Sequence, residues 1–438
     1  MGTETPVTIL AADPAVHDAT PTGVVRARLR RRAIPLATTA VFVITGMAFC
    51  LFWAPVVRHH PYWIDPGDLW ATYRGAHYVG WGDLGGVYGA GTGLVTFPGI
   101  LLLLAPLAML TGTLGLTESF PKFLPHPQAW IVLGPYEMLL GAVALFACDA
   151  LAERLGVGRG RRLVLCLAEA AVLWNVVVWW GHPEDAVAVG FAVYAVVLAF
   201  DGRWTGAGWL FGAAMATQPL VLLMLPILMG LAGRRHVVGL LVRSIGPVVA
   251  LVATPLISQF HATAHALLDQ PNYPGVDHAT PWTTLAPVIS GHGHTLTVAA
   301  GPGRIIALLL AGALGWWARR WRHQPDLIVW AAATALALRC LTESVMVGFY
   351  VWPALALALV AAARVRWRLA AATAAALVTT MVSQWHLGWL PWWSLVTAGL
   401  LTAVAVAVRP GRLLAGLTDG AVPADGGHPV PRMLVGAL

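Results

Sequence analysis

Long apolar runs follow one another along this chain from about residue 33 to 408, and they constrain its fold more than any other feature. A helix needs about 20 mainly apolar residues to cross a bilayer core that is about 30 Å thick. Inside the bilayer every backbone N–H and C=O needs a partner within the protein, so only helices and closed barrels cross it. The runs lack the alternation of apolar and polar residues that is typical of barrel strands. We therefore predict an all-α fold, a polytopic transmembrane helical bundle.

Composition supports a membrane protein over a soluble one. Charged residues make up only 11% of the chain and hydrophobic residues 58%, whereas about 25% of residues are charged in a soluble globular domain. Arginine supplies almost all of the positive charge behind the net charge of +7. Arginines collect on the cytoplasmic loops of membrane proteins. The positive net charge is therefore explained by the topology of the chain in the membrane, and we predict no nucleic-acid partner.

Differences in composition divide the chain into three parts. Residues 1–32 are polar and unpatterned before a run of arginines, which predicts a disordered basic cytoplasmic tail. The transmembrane bundle is predicted over residues 33–408. Residues 409–438 contain the polar stretch DGAVPADGGHPVP and predict a second cytoplasmic tail.

Arginine clusters define the predicted topology. They occupy residues 26–32, 154–162, 234–243, 319–322, 364–368 and 409–412. If every cluster faces the cytoplasm, an even number of crossings separates each pair, which fits about ten full spans. Two proline-broken segments, 93–113 and 208–230, are left over, and we predict that they are re-entrant hairpins. The extracytoplasmic side then holds four loops, 58–92, 181–185, 259–303 and 340–349.

Two aspartates, Asp65 and Asp68, follow the first predicted span in loop 58–92. A carboxylate at the bilayer boundary beside apolar walls has a raised proton affinity, which suits a general base. Asp68 also precedes an amphipathic, aromatic-rich stretch, where aspartate is a favoured N-cap. The two roles are compatible, and both stay open for Asp68.

The short loop 181–185 belongs to the sequence WWGHPED, which places charge between two apolar runs. Proline after His182 and the acids Glu184 and Asp185 suit the first turn of a helix, because acids interact favourably with a helix N-terminus. That account does not explain why His182 lies beside Trp180. An imidazole next to an indole suits the binding of a phosphate and a sugar face, so we also predict that this loop binds substrate.

The two later outer loops contribute further candidates. Arg304, at the predicted outer end of a span, suits bidentate binding of a phosphate or snorkelling to lipid headgroups. Arg339 and Glu343 are spaced i, i+4, which predicts either an ion pair or an arginine directed to a phosphate. Trp282 is a candidate to pack on sugar or lipid.

Metal binding has weak sequence support. His261 and His265 have the spacing that places two ligands on one helical face, and His292 and His294 follow in the same loop. Scattered histidines are common in solvated loops. We therefore predict no metal and no other cofactor.

Several of these stretches together resemble a known superfamily. They are Asp68 with DLWATYRGAHYVGWGDLGGVYGAGTGLVTFPGILLLLAPLAML, the turn GHPED, the segment GWLFGAAMATQPLVLLMLP and the late FYVWPALAL. In order and spacing, over about residues 33 to 408, they resemble the GT-C superfamily of integral-membrane glycosyltransferases. The nearest resemblance is to bacterial polyprenyl-phosphate-mannose-dependent mannosyltransferases. By position this implies that Asp68 is the catalytic base, with Asp65 as the second choice. Relatives commonly carry a basic residue where this chain has Gln218.

The resemblance implies a function. A sugar, a mannose-like hexose or a pentose, passes from a polyprenyl-phosphate donor to a cell-envelope glycolipid or glycan acceptor. The expected place is the extracytoplasmic face of a bacterial-type plasma membrane, where membrane lipids surround the site. Beside the base, we predict substrate contacts from His182, Glu184, Asp185, Arg304, Arg339, Trp180 and Trp282. The competing prediction is a multi-span transporter or lipid-linked-sugar flippase, because broken helices and buried acids also occur in transporters.

Overall fold

The computed structural model describes most of the bundle and its loops. It covers residues 29–53, 56, 66, 68–89, 92–116, 128–268, 270–272, 277–291, 294–298, 301–385 and 387–408. The two predicted tails lie outside these residues except for 29–32, and Asp65 lies outside them as well.

Helices make up nearly all of the described structure. In chain order the α-helices are α1 (Ala33–Ala48), α2 (Leu69–Gly80), α3 (Gly99–Thr113), α4 (Trp130–Gly141), α5 (Val143–Arg154), α6 (Arg159–Trp174), α7 (Pro183–Phe200), α8 (Trp204–Thr217), α9 (Leu225–Leu231), α10 (Arg234–Ser258), α11 (Phe260–Leu268), α12 (Pro302–Ala318), α13 (Pro325–Thr342), α14 (Trp352–Ala362), α15 (Arg366–Ser383) and α16 (Trp389–Ala407). Short π turns extend α1 over Phe49–Trp53 and α6 over Asn175–Trp179. Single 3-10 segments occupy Leu84–Gly86, Pro219–Met224, Thr283–Leu285, Arg319–Trp321 and Gly348–Val351.

Two small antiparallel sheets lie in the later predicted outer loops, and the sequence patterns do not predict them. The strands are β1 (Pro271–Asn272), β2 (His278–Ala279), β3 (Val288–Gly291), β4 (His294–Val298) and β5 (Val345–Met346). One sheet has the order β1-β4-β3, and β2 pairs with β5 in the other, with His278 opposite Met346. The second pairing ties loop 259–303 to loop 340–349.

Within the described residues, seven helices are long and apolar enough to cross a membrane, judged by length and composition. They are Ala33–Trp53, Trp130–Arg154, Arg159–Trp179, Pro183–Phe200, Arg234–Ser258, Pro325–Thr342 and Trp389–Ala407. Shorter apolar helices occupy Gly99–Thr113, Pro219–Leu231 and Gly348–Ala362. The chain is therefore an all-α integral membrane protein, as the apolar runs predict, while the predicted number of spans stays a prediction.

α14 lies at the centre of the bundle. Every residue of this helix is buried, and a helix that is apolar on all sides is stable only inside a larger protein or a membrane. α10 lies at the periphery instead, where Val238 and Ile257 are largely exposed on its outer face. Apolar exposure of this kind suits contact with lipid tails.

Ion pairs gather arginines from separate clusters at one end of the bundle, which we call the arginine end. Arg162 on α6 donates to the buried carboxylate of Asp149 on α5 at 2.7 and 2.5 Å, and Arg32 adds a third bond at 3.0 Å. Arg161 donates to the carbonyl of Arg364 in the loop after α14. Arg32 of the first cluster therefore lies at the same end as clusters 154–162 and 364–368, as the topology prediction requires.

The segment 208–230 forms a helical hairpin. α8 packs along α7 and ends beside Gln218, whose amide donates to Asp185 near the start of α7 at 2.7 Å. Pro219 has no N–H with which to continue the helix, and the chain turns back through Pro219–Met224 into α9. Gly230 at the end of α9 packs closely against Gly315 near the end of α12. The tip of the hairpin therefore lies at the end of the bundle opposite the arginine end, which we call the cavity end.

The prediction of a re-entrant hairpin at 93–113 is wrong. This segment is one helix, α3, with Pro98 at its N-cap position and Pro106 inside it. Pro106 leaves the carbonyl of Leu102 without its helical donor, but the helix continues because it packs against α2 and α8. The hydroxyl of Tyr136 on α4 donates to the carbonyl of Leu103 at 2.7 Å in the same turn.

α2 is the amphipathic helix expected after Asp68. Its buried residues Leu69, Thr72, Tyr73 and Ala76 recur at helical spacing and form one face. That face packs on α3, where the hydroxyls of Tyr73 and Thr111 form a hydrogen bond. The helix is not among the candidate spans. It therefore holds Asp68 at the edge of the bundle.

We expect the contact between α12 and α13 to tolerate no side chain at Gly303. An alanine Cβ there lies 1.7 Å from the carbonyl oxygen of Thr342, whose hydroxyl donates to the Gly303 carbonyl at 2.9 Å. Gly303→Ala is expected to lower the free energy of unfolding by about 1–3 kcal/mol through overpacking, measured by thermal unfolding in detergent. Gly312→Ala in the same helix is the control, since no described atom lies within 4 Å of its added Cβ. Equal stability of the two variants contradicts this packing.

Candidate active site

A cavity of about 890 Å³ opens at the cavity end of the bundle. Drug-sized ligands and cofactors occupy pockets of roughly 300–1,000 Å³. The walls come from α2, the segment 92–97, the start of α7, the tip of the 208–230 hairpin, α12 and the end of α13. The cavity brings together six of the predicted site residues, Asp68, Trp180, His182, Glu184, Arg304 and Arg339.

Three of these residues form a hydrogen-bonded row. The Nε2 atom of His182 lies 3.2 Å from Oδ2 of Asp68, and its Nδ1 atom lies 2.7 Å from Oε1 of Glu184. The Glu184 side chain is buried, while that of Asp68 is 52% exposed. The row therefore runs from a carboxylate in the wall to a carboxylate that faces the cavity.

Electrostatics hold the His182 ring in its charged form. Burial of the ring opposes protonation, but the carboxylates of Glu184 and Asp68 outweigh that effect and raise the pKa of His182 to about 10. An imidazolium donates from both ring nitrogens. His182 therefore bonds both acids at once and holds the side chain of Asp68 in place.

Local backbone geometry explains why His182 points at Asp68. The π turn of α6 ends at Trp179, and Gly181 adopts φ +76°, a conformation that favours glycine. A Cβ on Gly181 meets Pro66 and Leu69 at under 3 Å, so the turn packs tightly against the start of α2. Pro183 then opens α7 at the position where its missing N–H costs nothing.

Asp68 occupies the N-cap position of α2 but does not cap it through its side chain. Its carboxylate contacts His182 instead. The predicted capping role is therefore not seen, and the carboxylate lines the cavity. The predicted role of Asp68 as a base stays a prediction.

A second cluster is built on Glu343, which is buried at the end of α13. Oε1 of Glu343 accepts from Nε of Arg304 at 3.0 Å, and Oε2 accepts from Nε of Arg339 at 3.2 Å. Arg304 also donates to the amide oxygen of Gln270 at 2.9 Å. The Arg339 guanidinium lies 4.0 Å from the centre of the Tyr350 ring. The predicted i, i+4 pair is thus confirmed, and the carboxylate is shared with Arg304.

A chain of ring contacts links the two clusters. The His182 ring stacks on Phe349 with centroids 4.1 Å apart, and Phe349 meets Tyr350 edge to face at 5.0 Å. Tyr350 in turn lies under Arg339. Asp68 and the arginine pair therefore face one cavity and are held by one packed aromatic wall.

The remaining predicted residues lie elsewhere. Asp185 does not line the cavity and accepts from Gln218 at 2.7 Å, so it supports the hairpin tip behind the wall. Trp282 also lies outside the lining, and its indole donates to the carbonyl of Leu341 at 2.6 Å. Asp65 and His292 lie outside the described residues.

Two lining residues that the sequence analysis did not select are Trp70 and Arg74 on α2. Their i, i+4 spacing in DLWATYRG is the available signal, since this spacing places both on one helical face. Phe349 and Tyr350, in the stretch FYVWPALAL, were also missed as contacts of His182 and Arg339. Among the described residues no group of three or more potential ligands is placed to hold a metal ion.

No model of a known protein family matches this chain, and no curated protein matches it in a sequence search.

We expect stability to depend on pH through His182. A folded pKa of about 10, against an ordinary value of 6.5, means that the ring contributes its full stabilisation below 6.5 and loses it as pH rises toward 10. The difference in melting temperature between the wild type and His182→Gln should narrow over that interval. Glu184→Gln removes one carboxylate that raises the pKa and should move the loss to lower pH. A difference that stays constant over the interval contradicts the charged ring.

Proposed function

We propose that this protein is a membrane glycosyltransferase of the GT-C type. It transfers a sugar, a mannose-like hexose or a pentose, from a polyprenyl-phosphate donor to a glycolipid or glycan acceptor of the cell envelope. Asp68 is the general base, and Arg304 and Arg339 bind the donor phosphate. One observation carries the proposal: a half-exposed carboxylate and a pair of arginines face the same cavity.

Each reacting group has a residue suited to it. Asp68 takes the proton of an acceptor hydroxyl, and the oxygen attacks the anomeric carbon of the donor sugar. The bond from that carbon to the phosphate oxygen breaks, and its electron pair stays on the phosphate. Cations placed where negative charge develops stabilise such a transition state. Attack opposite to the leaving phosphate inverts the anomeric configuration.

The arginine pair suits a phosphate because its geometry is fixed in advance. Glu343 uses one oxygen for each Nε atom, and Gln270 accepts from Nη2 of Arg304. This leaves Nη1 of Arg304 and the two terminal nitrogens of Arg339 as the groups proposed to bind a ligand. Two guanidiniums and one carboxylate sum to a single positive charge. This single positive charge suits the phosphodiester of the donor. The attraction becomes stronger as the leaving phosphate takes on a further negative charge.

Apolar walls suit a lipid donor. Leu222 and Leu223 of the hairpin tip and Leu308 of α12 line the cavity beside the arginines. Leu308 is also exposed. A prenyl chain is thus expected to pass between the hairpin tip and α12 into the surrounding membrane lipids.

Sidedness follows from the arginine clusters. Basic residues favour the cytoplasmic side of a membrane, and the cavity opens at the end opposite the clusters. We propose that the site faces the extracytoplasmic side of a bacterial-type plasma membrane, in a bundle of about ten spans.

Asp68→Asn is expected to lower sugar transfer by roughly 10²–10⁴-fold, since the amide cannot accept the proton. The measurement uses purified protein in nanodiscs, radiolabelled polyprenyl-phosphate mannose and a membrane-lipid extract as acceptor. Asp83→Asn is the matched control, because Asp83 caps the 3-10 segment by accepting from Gly86 N at 2.8 Å and does not line the cavity. Equal transfer by wild type and Asp68→Asn removes the proposed base.

Arg304→Gln and Arg339→Gln are each expected to weaken donor binding by about ten- to a hundredfold, because each loses a charge-assisted hydrogen bond to phosphate. Native mass spectrometry with polyprenyl phosphate measures the affinity. Arg322→Gln, in an exposed arginine cluster away from the cavity, should bind like the wild type. Unchanged affinity in both cavity variants contradicts phosphate binding by the pair.

A flippase is the competing function, and the helix break at Gln218 favours it because transporters place broken helices at their substrate sites. Gln218 and Pro219 line the cavity. Proteoliposomes with a fluorescent polyprenyl-phosphate sugar distinguish the two functions. Movement of the lipid between leaflets without transfer to any acceptor favours the flippase.

A further inference from the structure

We propose that Trp70 and Arg74 form a second ligand subsite in the cavity, separate from the arginine pair, which binds an anionic carbohydrate group of the acceptor. The inference rests on the proposed function, because it assigns the acceptor's place in the same cavity. It names a chemical class: a sugar or cyclitol ring that carries a carboxylate or a phosphate.

Helix geometry places the two residues together. They are one turn apart on α2, and both line the cavity. The Arg74 guanidinium lies 5.4 Å from the centre of a Trp70 ring, within the distance of a cation–π contact. The face of α2 that packs on α3 consists of other residues, among them Leu69, Thr72 and Tyr73. The Trp70–Arg74 patch therefore belongs to the cavity wall.

The patch has the chemistry that an anionic carbohydrate requires. An indole gives a rigid apolar surface for the C–H face of a ring, and a guanidinium binds carboxylate or phosphate through two parallel hydrogen bonds. Across from α2 the segment 92–97 adds Thr96, which lines the cavity and whose Oγ1 has no hydrogen-bond partner among the described residues. A ring hydroxyl is a suitable partner for that atom.

Asp68 lines the same cavity as the patch and the arginine pair. Arg74 follows Asp68 by six residues, so the helix separates their backbones by about 9 Å along its axis. Contacts through His182, Phe349 and Tyr350 connect Asp68 with the arginine pair. We expect an acceptor seated on the patch to present a hydroxyl to Asp68, and an inverting displacement requires that this hydroxyl approach opposite the donor phosphate.

Lipid binding tests the subsite without any transfer reaction. Native mass spectrometry compares four probes with the full chain: glucuronosyl diacylglycerol, phosphatidylinositol, glucosyl diacylglycerol and phosphatidylglycerol. The first two carry a ring and a negative charge, the third a neutral ring and the fourth a charge without a ring. The wild type is expected to bind a charged-ring lipid about tenfold more tightly than either single-feature lipid. Whether the carboxylate or the phosphate lipid binds better identifies the source of the charge.

The two variants should lose different parts of that preference. Arg74→Gln is expected to remove the advantage over the neutral-ring lipid, and Trp70→Leu the advantage over phosphatidylglycerol. Arg74→Lys keeps the charge and loses the bidentate geometry, so it should recover only part of the preference, and Trp70→Phe should recover most of it. These conservative variants separate lost binding from lost folding. Arg339→Gln, at the arginine pair, should leave the preference intact.

Three results overturn the subsite. The first is equal binding of all anionic lipids by the wild type, and the second is an unchanged preference in both Arg74→Gln and Trp70→Leu. The third is a loss of polyprenyl-phosphate binding in Arg74→Gln, which assigns Arg74 to the donor. Failure of the proposed function is distinct, since absent sugar transfer with an intact lipid preference removes the transferase and leaves the subsite.

Discussion

The shared carboxylate of Glu343 is the interaction on which the cavity depends. Desolvation of a buried carboxylate without partners costs on the order of several kcal/mol. Two adjacent guanidiniums repel each other. Glu343 removes both costs because each of its oxygens accepts from one arginine, at 3.0 and 3.2 Å. Its position at the C-terminal end of α13 is unfavourable for a negative charge on dipole grounds. The acid is therefore tolerated there because Arg304 on α12 adds a second cationic partner. The close contact of Gly303 on α12 with Thr342 on α13 brings Arg304 within reach.

Glu184 is a second buried acid, and it lies at the start of a helix, whereas Glu343 lies at the end of one. It lies in the first turn of α7, where a negative charge is favoured by the helix N-terminus, and it needs only one cationic partner, His182. The imidazolium is then shared with Asp68, so a fully buried acid fixes the position of a half-exposed one. Both clusters follow one rule, in which a buried carboxylate orients a cation and the cation orients the group that faces the cavity.

How much of this structure the sequence predicts depends on how far apart along the chain the interacting residues lie. The apolar runs predict the helical bundle, and i, i+4 spacing predicts the Arg339–Glu343 pair, because both signals are local. The contact of Arg304 with Glu343 joins residues 39 positions apart, and no local pattern encodes it. The small sheet that pairs β2 with β5 was missed for the same reason. Trp282 and Asp185 have the right chemistry for a site but do not line the cavity, since they bond to the carbonyl of Leu341 and to the amide of Gln218. The hairpin expected at 93–113 fails because tertiary packing holds one helix together across Pro106.

Charge placement, more than net charge, gives this cavity its selectivity. The ionisable acids among the described lining residues are Asp68, Glu184, Asp277 and Glu343, and the cations are Arg74, His182, Arg304 and Arg339. These groups balance, so the cavity as a whole attracts an anion weakly. Gln218 at the hairpin tip keeps this balance, since a basic residue there adds a positive charge midway along the wall. The neutral amide leaves the positive charges of the lining at His182, at the arginine pair and on α2. The proposed transfer between a lipid phosphate and an acidic acceptor brings two anionic groups into the cavity, and the two proposed subsites supply arginines for each of them.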